Sequence, residues 1–83
     1  MHEAGLVGDL VRKAEDVVIR DGATRATEIT VRQGVFGHAS PEHLRHHFSS
    51  AARGTRVEGA LLRVLQSGDD ADMVLVSVMV EEG

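Results

Sequence analysis

Residues 25–33 read Arg-Ala-Thr-Glu-Ile-Thr-Val-Arg-Gln. In this stretch the apolar Ile29 and Val31 alternate with polar side chains, which is the two-residue period of a strand that buries one face. Gly34 follows at once and, with Gly37, marks a loop. The stretch therefore predicts a half-buried strand, and it sets the limits of the elements on either side.

Amphipathic helices are predicted before and after this strand. Upstream, residues 3–21 keep their apolar side chains on one side of a 3.6-residue repeat, and Gly22 ends the helix. Downstream, Ser40 and Pro41 form a helix-start signal, because a serine oxygen can cap free amides and proline suits the first helical position. Gly54 ends this second helix. The strand thus lies between two helices in the chain.

Two further strands are predicted at about residues 57–66 and 73–81. The polar residues 67–72 join them, so the two strands are expected to pair as an antiparallel hairpin. A strand, helix, strand segment also implies a right-handed crossover between parallel strands. The sequence therefore predicts one α+β domain over residues 1–83, of order helix-strand-helix-strand-strand, with a mixed three-stranded sheet and two helices packed on one face.

Both faces of the last two strands are apolar, and two helices on one side can cover only one of these faces. One interpretation is that the second face is buried against another copy of the chain, which predicts a homodimer. The alternative is that methionine and leucine side chains at a strand edge sit half exposed, which is common.

The composition argues against several classes of protein. The chain has no cysteine, which excludes disulfides, a thiolate zinc site and a cysteine nucleophile. The formal net charge is -4, the basic residues are scattered and aromatic residues are rare, so nucleic acid is not an expected partner.

Neither a secretory signal nor an apolar run long enough to span a bilayer is found, which predicts a cytoplasmic protein without a membrane partner. Catalytic motifs are also absent, and an enzyme is not expected.

The first three residues, Met1, His2 and Glu3, have the chemistry of a metal chelate. Nickel(II) favours square-planar nitrogen sites, and an amino terminus followed by histidine offers the terminal amine, backbone amide nitrogens and an imidazole close together. Glu3 and deprotonated amides would offset the cost of placing a cation at the positive end of a helix dipole. From these residues alone, a chance histidine and an ordinary acidic helix start are the preferred interpretation.

Several segments of the chain occur in a distinctive order. They are the opening Met-His-Glu, the amphipathic helix, a strand ending in Gly34, Ser40-Pro41-Glu42-His43-Leu44 with Phe48 four residues later, Glu58-Gly59-Ala60 before the second strand, and the closing Val76-Ser77-Val78-Met79-Val80-Glu81. In this order and spacing, over nearly the whole chain, the sequence resembles the hydrogenase/urease nickel incorporation family (HypA/HybF).

The resemblance implies that Met1, His2 and Glu3 bind nickel(II), and that the chain is a nickel metallochaperone or accessory protein for the maturation of hydrogenase or urease. The implied partners are a GTPase accessory protein and a nickel enzyme precursor. One alternative is a non-catalytic protein-interaction or regulatory module that keeps the fold but has lost nickel delivery. Another is a small oligomeric enzyme or ligand carrier that uses the second face of the sheet.

The sequence departs from the family pattern in three places. Members of the family normally carry a zinc domain with two C-x-x-C pairs between the last two strands, where this chain has only residues 67–72. No structural zinc is therefore expected. His46 and His47 stand where the family usually has apolar residues, and Ser40 stands where an acidic residue is often found.

The remaining histidines suggest a second way to hold a metal. His43 and His47 are one helical turn apart, so their side chains could chelate an ion together. A solvated helix face is the preferred interpretation of these residues and of His46, because no carboxylate or cysteine at ligand spacing completes a site. His38, in the glycine loop, is a further candidate nickel ligand.

Overall fold

The computed structural model describes residues 3–34, 40–67 and 73–82 of the chain. It contains two helices and three strands: α1 (Glu3–Arg20), β1 (Arg25–Gln33), α2 (Pro41–Ala51), β2 (Leu61–Gln66) and β3 (Met73–Glu81). The predicted order of the elements and the predicted mixed three-stranded sheet are both confirmed.

β1 is the central strand, and the sheet has the order β2-β1-β3. β1 pairs in parallel with β2 and antiparallel with β3. The predicted hairpin between β2 and β3 is therefore wrong, because the two strands lie on opposite sides of β1. Gln33 is the register partner of both Gln66 and Met73, so the chain passes from one side of β1 to the other between these residues, a distance of about 9.6 Å for two strand spacings. Turn-forming residues indicate a reversal of direction, but they do not show whether the reversed strands are neighbours.

As the central strand, β1 has the most completely enclosed inward side chains of the sheet. Ile29 and Val31 are both 0% exposed. Ile29 is aligned with Leu62 on one side and Val78 on the other, so these three side chains form one row beneath the helices. At an edge of the sheet, β1 would lose one of the two cross-strand neighbours that cover each inward side chain.

β2 begins at Leu61. The sequence predicts a start near residue 57, and this prediction is wrong. Val57 is fully buried but lies in a run of turns, where its backbone N–H donates to Thr55 Oγ1 at 3.2 Å. Gly54 and Gly59 on either side have φ angles of 77° and 81°, which residues with a Cβ rarely adopt. A buried valine between two such glycines therefore resembles the start of a strand in the sequence without being one.

Both helices pack on one face of the sheet. α1 contacts β1 and β3, α2 contacts β2, and the two helices contact each other. The helices contribute these buried side chains to the core: Val7, Leu10, Val11, Ala14, Val18, Leu44 and Phe48. Within the described ranges, neither helix combines the length and the apolar character needed to cross a membrane.

α1 ends in a glycine turn. Gly22 has a φ of 69°, its N–H donates to Ile19 O at 3.0 Å, and the N–H of Ala23 donates to Val18 O at 3.1 Å. These two bonds form a Schellman motif, which satisfies carbonyl groups that the helix itself leaves unpaired. Because a residue with a Cβ pays about 1–2 kcal/mol for this left-handed conformation, glycine is the residue that fits here.

Two glycine substitutions in this region are expected to change stability in opposite directions. Gly8→Ala should raise the free energy of unfolding by about 0.5–1 kcal/mol, because alanine has the higher helix propensity. A Cβ at this position would lie 3.9 Å from Arg12 Nη1, an ordinary contact. Gly22→Ala should lower the free energy of unfolding by about 1–2 kcal/mol. Urea unfolding followed by circular dichroism measures both changes, and shifts of the same sign would contradict this account of α1.

The face of the sheet opposite the helices exposes apolar side chains. Leu61 of β2 and Met79 of β3 are both aligned with Glu28 of β1, and they are 59% and 57% exposed. Leu65 and Val74 form a second exposed pair on either side of Arg32. We call this surface the open face. The predicted second apolar face of the sheet is therefore present, and the helices leave it uncovered.

Candidate metal-binding region

Of the predicted metal ligands, the structure describes only the backbone of Glu3. Met1, His2 and His38 lie outside the described residues, and the backbone of Glu3 begins α1. The geometry that bears on metal binding is therefore that of the first turns of α1 and of the helix beside them, α2.

An open cleft of about 380 Å³ lies between the first turns of α1 and the second half of α2. It is lined by one side chain of α1 and four of α2: Val7, His46, His47, Ser50 and Ala51. Val7 comes four residues after the start of α1, which corresponds to about 6 Å along the helix axis. Two histidines of α2 therefore line the same cleft as a residue that lies about one helical turn into α1.

α2 is held in a fixed orientation by its cap and its buried side. Ser40 Oγ accepts a hydrogen bond from the backbone N–H of His43 at 3.2 Å. Arg45 Nε donates to the carbonyl oxygen of Leu62 at 2.9 Å, which ties the helix to β2. The side chains that anchor α2 in the core are Leu44 and Phe48. Together these contacts determine which side of α2 faces the core and which side carries the histidines.

Three imidazole rings occupy one turn of α2. The ring centres of His43 and His47 are 4.5 Å apart, and those of His46 and His47 are 6.2 Å apart. His43 and His46 are exposed, as a solvated helix face requires, whereas His47 is half-buried and lines the cleft beside α1. Among the described residues, no group of three or more His, Cys, Asp or Glu side chains is placed to hold a metal ion.

Asp9 is a carboxylate near the start of α1, but it is engaged by two cations of its own helix. Lys13 Nζ lies 3.2 Å from its Oδ2, and Arg12 Nη2 lies 3.2 Å from its Oδ1. The hydrogen bond and positive charge of Lys13, with a smaller effect of Arg12, hold the pKa of Asp9 below its ordinary value. Both carboxylate oxygens of Asp9 are therefore already paired with cations, so Asp9 is not counted as a ligand.

The closeness of the α2 histidines to α1 was missed in the sequence. A signal for it was present, because the family that the sequence resembles usually has apolar residues at the positions of His46 and His47. Apolar residues are typical of a helix side that packs against a neighbour. Periodicity identifies the buried side of each helix, but it does not show which part of another helix that side contacts.

Comparisons with known proteins agree with this fold. The family described as "Hydrogenase/urease nickel incorporation, metallochaperone, hypA" matches residues 1–70. The hydrogenase maturation factor HypA of Methylocella silvestris is 40% identical over 75 residues, which cover 90% of this chain and 60% of that protein. HypA of Deinococcus radiodurans is 41% identical over 64 residues, covering 77% of this chain and 53% of that protein.

A solved structure has the same architecture. The solution structure of the Ni metallochaperone HypA from Helicobacter pylori matches with a TM-score of 0.84 at 14% identity, over 100% of both chains. At that identity the likeness shows the fold alone. The relatives from Methylocella silvestris and Deinococcus radiodurans, of which this chain spans 60% and 53%, are longer proteins. With the family match over residues 1–70, these findings show that the chain belongs to the HypA family of hydrogenase/urease nickel incorporation proteins.

Proposed function

We propose that this chain binds nickel(II) at its amino terminus through Met1, His2 and Glu3, and carries the ion during the maturation of a hydrogenase or urease. The observation that carries the proposal is that the family match begins at residue 1 and so includes all three residues. Relatives that are named hydrogenase maturation factors, and a structural neighbour that is described as a Ni metallochaperone, support the same role here.

The proposed ligands suit nickel(II) chemically. The terminal amine of Met1, the backbone amide nitrogens that follow it and the imidazole of His2 are nitrogen donors, and nickel(II) favours four such donors in a plane. Each donor has to lose a proton or be neutral before it binds, so the ion is bound with release of protons. Because α1 begins at Glu3 and the first four N–H groups of a helix have no partner within it, the backbone amides of His2 and Glu3 are not required by its hydrogen-bond ladder.

On this proposal the chain delivers a metal ion and does not catalyse a reaction. The ion passes to other proteins, and the partners we propose are a GTPase accessory protein and the precursor of the nickel enzyme. Residues 1–83 then act as a nickel-binding domain without a zinc domain. This fits a chain that has no cysteine and only residues 67–72 between its last two strands.

Calorimetric titration with nickel(II) tests the proposal on protein whose amino group is free. We expect one tightly bound ion per chain, with the absorption spectrum of a square-planar complex. Failure to bind nickel tightly would favour the alternative, which is an interaction or regulatory module that keeps the fold but has lost nickel delivery.

We also propose that the open face of the sheet pairs with a second copy of the chain. Its exposed leucine and methionine side chains surround a charged pair, in which Arg63 Nη1 lies 3.3 Å from Glu28 Oε2. A face that carries both charges among apolar side chains can be self-complementary about a two-fold axis, as a homodimer requires. The apolar part of such a contact contributes about 25 cal/mol for each Å² that it removes from water.

The oligomeric state tests the homodimer. Light scattering at rising protein concentration should show a dimer, and Leu61→Asp should shift the protein to a monomer because it places a charge within the buried contact. Ile19→Asp is the matched control, since Ile19 is 55% exposed on α1, away from the open face. A monomer at high concentration, or equal effects of the two substitutions, would contradict the proposal.

A further inference from the structure

We propose that His43 and His47 form a second binding site for a divalent transition metal on α2. Imidazole side chains at positions i and i+4 of a helix lie on the same face and are a known way of holding such ions. The borderline ions nickel(II), copper(II) and zinc(II) are the class that imidazole ligands take. The site is separate from the proposed amino-terminal ligands and does not depend on them.

The distance between the two rings fits a shared metal ion. A ligating imidazole nitrogen about 2.0–2.1 Å from a metal places the ring centre about 3.2 Å from it, so two rings bound at about 90° have centres about 4.5 Å apart. The centres of the His43 and His47 rings are 4.5 Å apart. In this arrangement of their side chains, the two rings therefore already have the separation that two adjacent ligands need.

The third histidine of this turn does not fit in the same way. The ring centres of His46 and His47 are 6.2 Å apart. By the same construction, this separation requires an angle of about 150° at the metal, which suits neither adjacent ligands in a plane nor a tetrahedron. His46 thus pairs poorly with His47, and it offers a control because it is an imidazole on the same turn of the same helix.

The surroundings of the pair favour binding by a preformed site. The first turn of α2 is capped by Ser40 at the amide of His43, and its inward side is anchored by Leu44 and Phe48, so little backbone order is lost when a metal binds. His47 also borders the cleft of about 380 Å³ next to α1. Since a water occupies about 30 Å³, the cleft beside His47 has room for water molecules.

The position of the pair suggests what the site does. Through His47 it borders a cleft whose opposite wall is Val7, about one helical turn from the start of α1. An ion held here lies beside the cleft that α1 also lines, so we infer that the site acts as a holding position from which nickel is passed to or from the proposed amino-terminal ligands. This role rests on the proposed function, whereas the existence of the site does not.

Metal titration of protein that carries His2→Ala isolates the second site. Nickel(II) alone and zinc(II) alone serve as probes, and one ion is expected to bind per chain. Adding His43→Gln or His47→Gln should each weaken binding at least tenfold, and adding both should abolish it. Adding His46→Gln should change the affinity by less than twofold. Equal weakening by His46→Gln, or unchanged binding after the double substitution, would overturn the site.

Nuclear magnetic resonance gives a second readout that does not depend on affinity. Zinc(II), which is diamagnetic, should shift the imidazole resonances of His43 and His47 and leave those of His46 in place. The two proposals also fail in different ways. If His2→Ala leaves nickel binding unchanged while the double substitution removes it, the amino-terminal proposal is wrong and the α2 site stands. The opposite pattern removes the α2 site.

Discussion

Replacing His2 with alanine is expected to weaken the tight binding of nickel(II) by about 100-fold, which corresponds to about 2.7 kcal/mol. The change removes the imidazole and the chelate ring that it closes with the backbone amides, so the ion loses a donor that no other part of the amino terminus replaces. Competition with a chelator of known affinity measures the change. His46→Ala is the control, because it removes an exposed imidazole of α2 and should leave the tight site as it was.

The proposed amino-terminal nickel site can also be tested without substituting a side chain. Adding glycine and serine before Met1 keeps the imidazole of His2 but moves the terminal amine away from it, so a comparable loss of affinity is expected. If the extended protein and the His2→Ala protein both bind nickel as tightly as the native one, the ligands lie elsewhere in the chain.

Replacing Phe48 with alanine is expected to lower the free energy of unfolding by about 3–5 kcal/mol, through lost burial and the cavity that remains. Phe48 is 2% exposed and anchors α2 in the core. A chain of this size has a total stability of about 4–12 kcal/mol, so the substitution takes away much of it. Urea unfolding followed by circular dichroism measures the effect.

Ser49→Ala provides the comparison for Phe48. Ser49 is the next residue of α2 and is exposed, so its substitution should change the free energy of unfolding by about 0.5 kcal/mol or less. Similar losses for the two variants would mean that α2 is not held by its buried side. A folded fraction of the Phe48→Ala protein should also bind metal less well at His43 and His47, because the helix that sets their separation is no longer anchored.

The order of the elements could be predicted from the sequence because each element carries a local signal. The alternation of Ile29 and Val31, the helix start at Ser40 and the ending at Gly22 all act over a few residues, and the structure contains each of them. The pairing of the strands is a different kind of property. It depends on which strand gains most from neighbours on both sides, and the turn formers after β2 are compatible with either arrangement.

For the candidate sites, too, the sequence identifies the residues but not their arrangement in space. Met1, His2 and Glu3 were singled out by their chemistry and by the resemblance to a family, and their binding of nickel remains a prediction. The spacing of His43 and His47 was visible in the sequence, but the distance between their rings was not. Nor was the nearness of His47 to Val7, which arises from how two amphipathic helices cross on the same sheet.

The arrangement of β2 and β3 on opposite sides of β1 has a consequence for chain engineering. Because the two outer strands share no hydrogen bonds with each other, additional sequence spliced in between Ser67 and Met73 interrupts no ladder of the sheet. The main effect of a longer connection on the free energy of folding is the entropy of loop closure, which costs about 0.6 kcal/mol for each doubling of the connecting length. A whole reporter or sensor module can thus be grafted at this point, and because Met73 lines a small pocket together with Leu6 and Leu10, the module would stand beside the first turns of α1.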